Sequence, residues 1–167
     1  MGTGNTTNST AVSATMPVSA TATVHASAVL GGPRAILIRG PAGAGKSRLA
    51  LALIQAADCG LIAFARLVGD DRIELAAAHG RLLARSPPAL AGLIEVRGLG
   101  IRRLDYEAVA VVGLVVDLAV AGAERLPATA EQEVTLAGIR IPRLAIAPGW
   151  DPMPPVLARL LTCDAEV

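Results

Sequence analysis

The pattern of apolar and polar positions divides the chain beyond residue 21 into short segments with clear punctuation. "TVHASAVLGG" (23–32) and "AILI" (35–38) are apolar runs of strand length, separated by a Gly-Gly-Pro turn signal. Leu49, Leu51, Leu53 and Ile54, set among alanines, predict a helix from about Gly45 to Ala57. "FARLVGDDRIEL" (64–75) predicts a loop and a strand, His79-Gly80 a turn, and Arg81 to Ala84 a further strand. Pro87-Pro88 breaks the pattern before "GLIEVRGLGIRRL" (92–104), and "GIRIPRLAIAPG" (138–149) closes it as a strand. Many strands and few helices predict an α/β fold with a mixed sheet.

The longest apolar stretch, "AVAVVGLVVDLAVAGA" (108–123), has two readings. Asp117 interrupts it, and the run before that residue is shorter than the roughly 18–20 residues a membrane span needs, so it is read as a buried strand. Residues 1–21 are rich in Thr, Ser and Ala and carry no charged side chain, which predicts a disordered tail without the basic segment of a signal peptide. The expected organisation is a tail (1–21), one domain (22–150) and a C-terminal extension (151–167).

Composition narrows the partners. A chain of 167 residues with 53% hydrophobic content can bury one core, and a net charge of +1 gives no electrostatic case for nucleic acid or an anionic membrane. Cys59 and Cys163 lack metal-ligand spacing and fit a reducing, cytoplasmic setting.

The chemistry concentrates in "RGPAGAGKSRLALAL" (39–53). Gly40-Pro41-Ala42-Gly43-Ala44-Gly45-Lys46-Ser47 is the G-x-x-x-x-G-K-[ST] pattern, placed after an apolar strand and before a helix, as a phosphate-binding loop requires. Of the 15 basic residues, only Lys46 is lysine. A compact ammonium on a flexible stem can reach β/γ-phosphates, Ser47 can hold Mg²⁺, and Gly43 and Gly45 allow the turn, so a phosphate-bearing ligand with Mg²⁺ is expected, although the loop alone does not say whose phosphate it is. Asp70 and Asp71 follow Leu67-Val68 at a strand end. Beside such a loop, one carboxylate can serve the metal while the other takes a proton; alone, the pair would read as a solvated acidic turn. Glu95 and Arg97 flank the Gly98 and Gly100 turn, and His25 sits on an apolar strand. For these three a structural role is at least as good a reading as a site.

Taken together, "VHAS", "GPAGAGKS", "LVGDDRI" and "LIEVRGLGI" resemble, in order and spacing, the bacterial HPr kinase/phosphorylase family. The resemblance is firmest over residues 22–126. It implies a fold similar to phosphoenolpyruvate carboxykinase around the P-loop, and ATP-dependent phosphorylation of a serine on the phosphocarrier protein HPr, with phosphorolysis as the reverse reaction. It further implies that His25 and Lys46 are active-site residues, that Ser47 and Glu95 are Mg²⁺ ligands with Asp70 in support, and that Asp71 exchanges the serine proton. Arg97 would lie near the phosphates within a loop used in both directions, and Arg125 in "AERLP" aligns with an active-site arginine, although the family's following glycine is here Pro127. The Arg-rich segment 97–103 is a candidate HPr-docking surface, and the resemblance carries a homo-oligomer with it.

Three departures shape the expectation. The chain resembles the short alphaproteobacterial form without the N-terminal regulatory domain, and "DCGLIAFAR" lengthens the interval between Lys46 and Asp70. No Lys or Arg lies between Arg143 and Arg159, where the family carries a basic loop serving phosphorolysis. Kinase activity with weak or absent phosphorolysis is therefore expected. The alternative is an ATP-binding regulatory module that binds a partner without phosphoryl transfer.

Overall fold

The structure, a computed structural model, describes residues 22–162. The tail expected over 1–21 and the last five residues of the extension lie outside the described residues.

Strand β1 (Ala22–Gly31) turns through Gly32 and Pro33 into antiparallel β2 (Arg34–Arg39), and the Gly40–Gly45 loop leads into helix α1 (Lys46–Asp58). Strands β3 (Ala65–Gly69) and β4 (Arg72–Ala78) both return antiparallel to β1, on different halves of it. β4 and β5 (Arg81–Arg85) form a hairpin whose turn residues His79 and Gly80 both have positive φ, 50° and 70°, as a two-residue turn between right-twisted strands demands. β6 (Leu93–Val96) and β7 (Gly100–Arg103) are a separate hairpin. β8 (Ala110–Asp117) is followed by β9 (Glu133–Leu136), β10 (Ile139–Ala145) and helix α2 (Met153–Leu161).

The sheet is mixed. β2, β8 and β10 run parallel, whereas β1, β3, β4, β5 and β9 are joined antiparallel to their neighbours. β1 gives its first residues to β4 and its last to β2 and β3, and β8 gives Ala110 and Val111 to β5 and the rest to β2 and β10. The pairs β2–β1–β4–β5–β8–β2 therefore make a closed circuit.

Period-2 alternation on these strands yields two cores. Ala26 and Ala28 of β1, Ala35 and Leu37 of β2, and Val112 and Val115 of β8 face inward with Ile73, Leu75 and Leu82, the alternation of β8 stepping once at Gly113, where its register against β2 shifts. The intervening Val29, Ile36, Ile38, Leu114 and Val116 face the other way, against Leu49, Ala50 and Leu53 of α1 and Val156 of α2. That second core seats α1, and hence the loop before it, on the sheet.

Differences from the sequence reading are local. The segment 64–75 is two strands, because Asp71 takes φ 67° and the chain reverses there. The segment 92–104 folds back on itself at Gly98 and Gly100, both with positive φ. β9 and α2 went unpredicted: β9 is four residues long, and Pro154 and Pro155 obscure the helical pattern although prolines are tolerated in a first turn. The apolar stretch 108–123 contains β8, whose last four residues are all buried. Among the described residues no helix is long and apolar enough to cross a membrane.

Candidate functional site

β2 delivers the chain to the Gly40–Gly45 loop, which closes on itself through the Ala44 N–H donating to the Pro41 carbonyl at 3.2 Å. Gly40, Gly43 and Gly45 all have positive φ, and at Gly40 a Cβ would lie 2.9 Å from the Leu118 carbonyl oxygen. Glycine is required there on both counts. Lys46 is only 6% exposed and its Nζ donates to the Gly40 and Pro41 carbonyls, each at 3.0 Å, so the ammonium is tied to the loop it follows. Helix α1 begins with no side-chain cap and no acidic residue in its first turn. Its first N–H groups and positive dipole end are free to meet an external anion.

Behind the loop stands Asp70, 4% exposed at the end of β3. Its Oδ1 accepts hydrogen bonds from the Ser27 hydroxyl at 2.5 Å and the Ser47 hydroxyl at 2.9 Å, and its Oδ2 accepts from the Glu95 N–H at 3.1 Å. One carboxylate thus joins β1, α1 and β6. Such satisfaction is what makes a buried carboxylate tolerable.

Asp71 is placed quite differently. The Arg72 N–H donates to the Asp70 carbonyl at 2.8 Å around it, which with φ 67° is the rarer, positive-φ form of a three-residue turn. The turn throws its side chain outward, 62% exposed, with Oδ1 3.2 Å from His25 Nδ1 and Oδ2 4.0 Å from Arg72 Nε. Two adjacent carboxylates are thereby separated into a buried, hydrogen-bonded one and an accessible one.

These groups converge on a cavity of about 620 Å³ lined by the loop and α1 residues Ala42 to Arg48, by His25, Asp70 and Asp71, and by Glu95, Val96 and Arg97 of the β6–β7 hairpin. Ile94, 1% exposed, anchors that hairpin in the core beneath α1, which fixes Glu95 and Arg97 at the cavity wall. Gly40 and Pro41 contribute through the carbonyls that hold Lys46. Arg125 is exposed on the loop between β8 and β9 and is not among the cavity's lining residues.

Sequence reasoning missed Ser27, Arg48 and the Glu95 backbone N–H. Ser27 was findable: it lies two residues beyond His25 on one strand, and so on the same face. The Glu95 amide carries no signal, since a backbone group is the same in every residue.

No cluster of three or more His, Cys, Asp or Glu side chains suited to a metal occurs among the described residues. The donor set nonetheless fits Mg²⁺, which takes few protein ligands and fills its shell with water and phosphate oxygens. Ser47 gives its proton to Asp70, which leaves its oxygen lone pairs available, and the Glu95 side chain is exposed at the cavity.

The curated HPr kinase/phosphorylase of Clostridium beijerinckii is 46% identical over 66 residues, and that of Clostridium tetani 44% identical over 66 residues. Each match takes in 40% of this chain, but only 20% and 19% of the relatives' own lengths. The solved structure of the HPr(Ser) kinase/phosphatase from Coxiella burnetii superimposes with a TM-score of 0.65 at 26% identity, over 83% of this chain and 93% of that one. The family model for the HPr serine kinase C-terminal domain matches residues 17–147, well over half the chain, and with the shared fold this makes the chain a member of the HPr serine kinase C-terminal domain family.

Proposed function

We propose that the chain is an ATP-dependent protein serine kinase acting on HPr in the cytoplasm, built on a P-loop within a fold like that of phosphoenolpyruvate carboxykinase. The observation that carries this reading is the split of Asp70 and Asp71: one buried and fully hydrogen-bonded beside Ser47, the other exposed on the same cavity.

The Gly40–Gly45 turn and the N-terminus of α1 hold the nucleotide phosphates with their N–H groups. Lys46, already oriented by two loop carbonyls, turns its remaining N–H toward the β/γ-phosphates. Ser47 and Glu95 would hold Mg²⁺, with Asp70 orienting Ser47 from behind; the ion would neutralise phosphate charge. Arg97 and Arg48 add positive charge at the wall of the cavity, where the transferring phosphoryl group is most anionic. Asp71 accepts the proton of the incoming serine hydroxyl, and His25, 3.2 Å away, steadies its carboxylate. Arg125 is given no role. The reading of the chain as a pure nucleotide sensor leaves the Asp71–His25 pair without use.

The test is to incubate the chain with HPr, Mg²⁺ and ATP and to measure the mass of HPr. A gain of one phosphate on serine with wild type, lost in Asp71→Asn while ATP binding persists, is the expected result. ATP binding without phosphoserine would favour the sensor. In the reverse direction, phospho-HPr with inorganic phosphate should yield little pyrophosphate, because residues 144–158 contain no Lys or Arg to hold a second anion.

A further inference from the structure

Three parallel strands end side by side next to the Gly40 loop, and each contributes one charged residue. Arg39 is the last residue of β2, Asp117 the last of β8, and Arg143 lies two residues before the end of β10. Arg39 pairs directly with Asp117 in register, and its Nε and Nη2 donate to Oδ1 and Oδ2 of that carboxylate, both at 2.7 Å. Arg143 Nε donates to the same Oδ2 at 2.6 Å. Asp117 is 8% exposed, so the two-point pairing is made largely out of water, where geometry and charge both count.

This cluster lies off the cavity that holds Lys46, Ser47 and Asp71, none of its members being among that cavity's lining residues. It acts on the backbone that opens the loop. The Leu118 N–H donates to the Arg39 carbonyl at 2.8 Å, and Gly40 packs so closely on the Leu118 carbonyl that no side chain would fit. Gly40 in turn supplies one of the two carbonyls that hold Lys46. The Ile146 N–H to Asp117 carbonyl bond, 2.8 Å, extends the same attachment to β10. A guanidinium fork, a backbone bond and a close contact therefore converge on two consecutive residues, Arg39 and Gly40.

We propose that Asp117 is a positioning residue for the nucleotide loop: by gripping Arg39 with both carboxylate oxygens, it fixes the origin of the Gly40–Lys46 turn. The two arginines need this carboxylate between them. Without it, two cations face each other at the strand ends and the two-point tie between the last residues of β2 and β8 is lost, so the backbone that carries Gly40 is held by fewer bonds. The consequence for catalysis rests on the nucleotide reading given above, whereas the mechanical claim does not.

The experiment compares wild type with Asp117→Asn in the full chain. Amide hydrogen exchange without nucleotide tests the mechanical claim. The Ala44 amide should exchange faster by about tenfold or more, the scale of one charge-assisted hydrogen bond, while amides of the β4–β5 hairpin keep their protection. Kinetics tests the consequence: KM for Mg-ATP should rise by a similar factor, with kcat within about threefold, because the reacting groups themselves are untouched. Asp117→Glu should recover part of the loss. Unchanged loop exchange in folded Asp117→Asn overturns the proposal whether or not the chain binds ATP. If that variant does not fold, Arg39→Lys decides by the same criteria, since it keeps the charge and removes the fork. Wild type that fails to bind ATP would overturn the kinase reading, and the exchange result would still judge this one.

Discussion

Ser47 and Asp70, 23 residues apart in sequence, are joined by a 2.9 Å hydrogen bond from hydroxyl to carboxylate, and that bond sets the first turn of α1 against the end of β3. Asp70→Asn tests its worth. An asparagine can still accept from the two serine hydroxyls, but its amide group would face the Glu95 N–H, donor against donor. The expected cost is about 1–3 kcal/mol, measured by denaturant unfolding, with a larger fractional loss of phosphoryl transfer than of ATP binding.

Asp71 should behave in the opposite sense for stability. Its φ of 67° is acceptable to Asp and Gly and costly to branched side chains. Asp71→Gly is expected to stay within about 1 kcal/mol of wild type in unfolding free energy yet to lose transfer by about 10²–10⁴-fold, whereas Asp71→Val loses transfer and a further ~1–2 kcal/mol of stability. Parallel melts and mass measurements on HPr read both quantities.

Gly40→Ala asks whether the loop can move. The new methyl would meet the Leu118 carbonyl oxygen at 2.9 Å and the Ala44 Cβ at 3.2 Å, at a φ of 150° that alanine resists. ATP affinity, measured by calorimetry, should fall by about tenfold or more, because the displaced Gly40 carbonyl no longer orients Lys46.

Asp117 predicts a pH signature. Burial alone would raise its pKa, but hydrogen bonds from Arg39 and Arg143, aided by their charges, outweigh that and hold the carboxyl below its ordinary 3.8. The unfolded chain therefore binds the proton more readily, so the group adds stability that is present above about pH 3.8 and is lost as pH falls toward the lower folded value. Wild type should lose this contribution over that acid interval, and Asp117→Asn should be less stable at pH 7 and flatter below pH 4.

Much of the fold and site could be read before any coordinates. The run Ala35–Ile38, the glycines around Lys46 and the Leu-Ala helix gave the strand, loop and helix order, since each rests on local chemistry. Asp70 and Asp71 could be singled out as a pair. Their roles were suggested only by the family resemblance, and that Asp70 is the buried carboxylate and Asp71 the exposed one could not be read from the residues, because it depends on Ser27 and the Glu95 amide, brought in from distant segments. Asp117 was visible only as an interruption of an apolar run. Its meaning comes from Arg39 and Arg143, and no spacing rule links residues 78 and 26 positions away. Arg125, matched through the family motif, lies exposed on the loop between β8 and β9 and is not among the residues that line the cavity.

The closed circuit of strands has a consequence for how copies of the chain can meet. A sheet that returns on itself offers few unpaired backbone groups, and here β3 and β9 end the described pairing paths with only five and four residues each. Strands that short are poor templates for edge-to-edge growth. Contacts between copies through the circuit itself would fall to side chains more than to strand pairing, so any association there would be encoded in surface residues that can change one at a time without disturbing the framework.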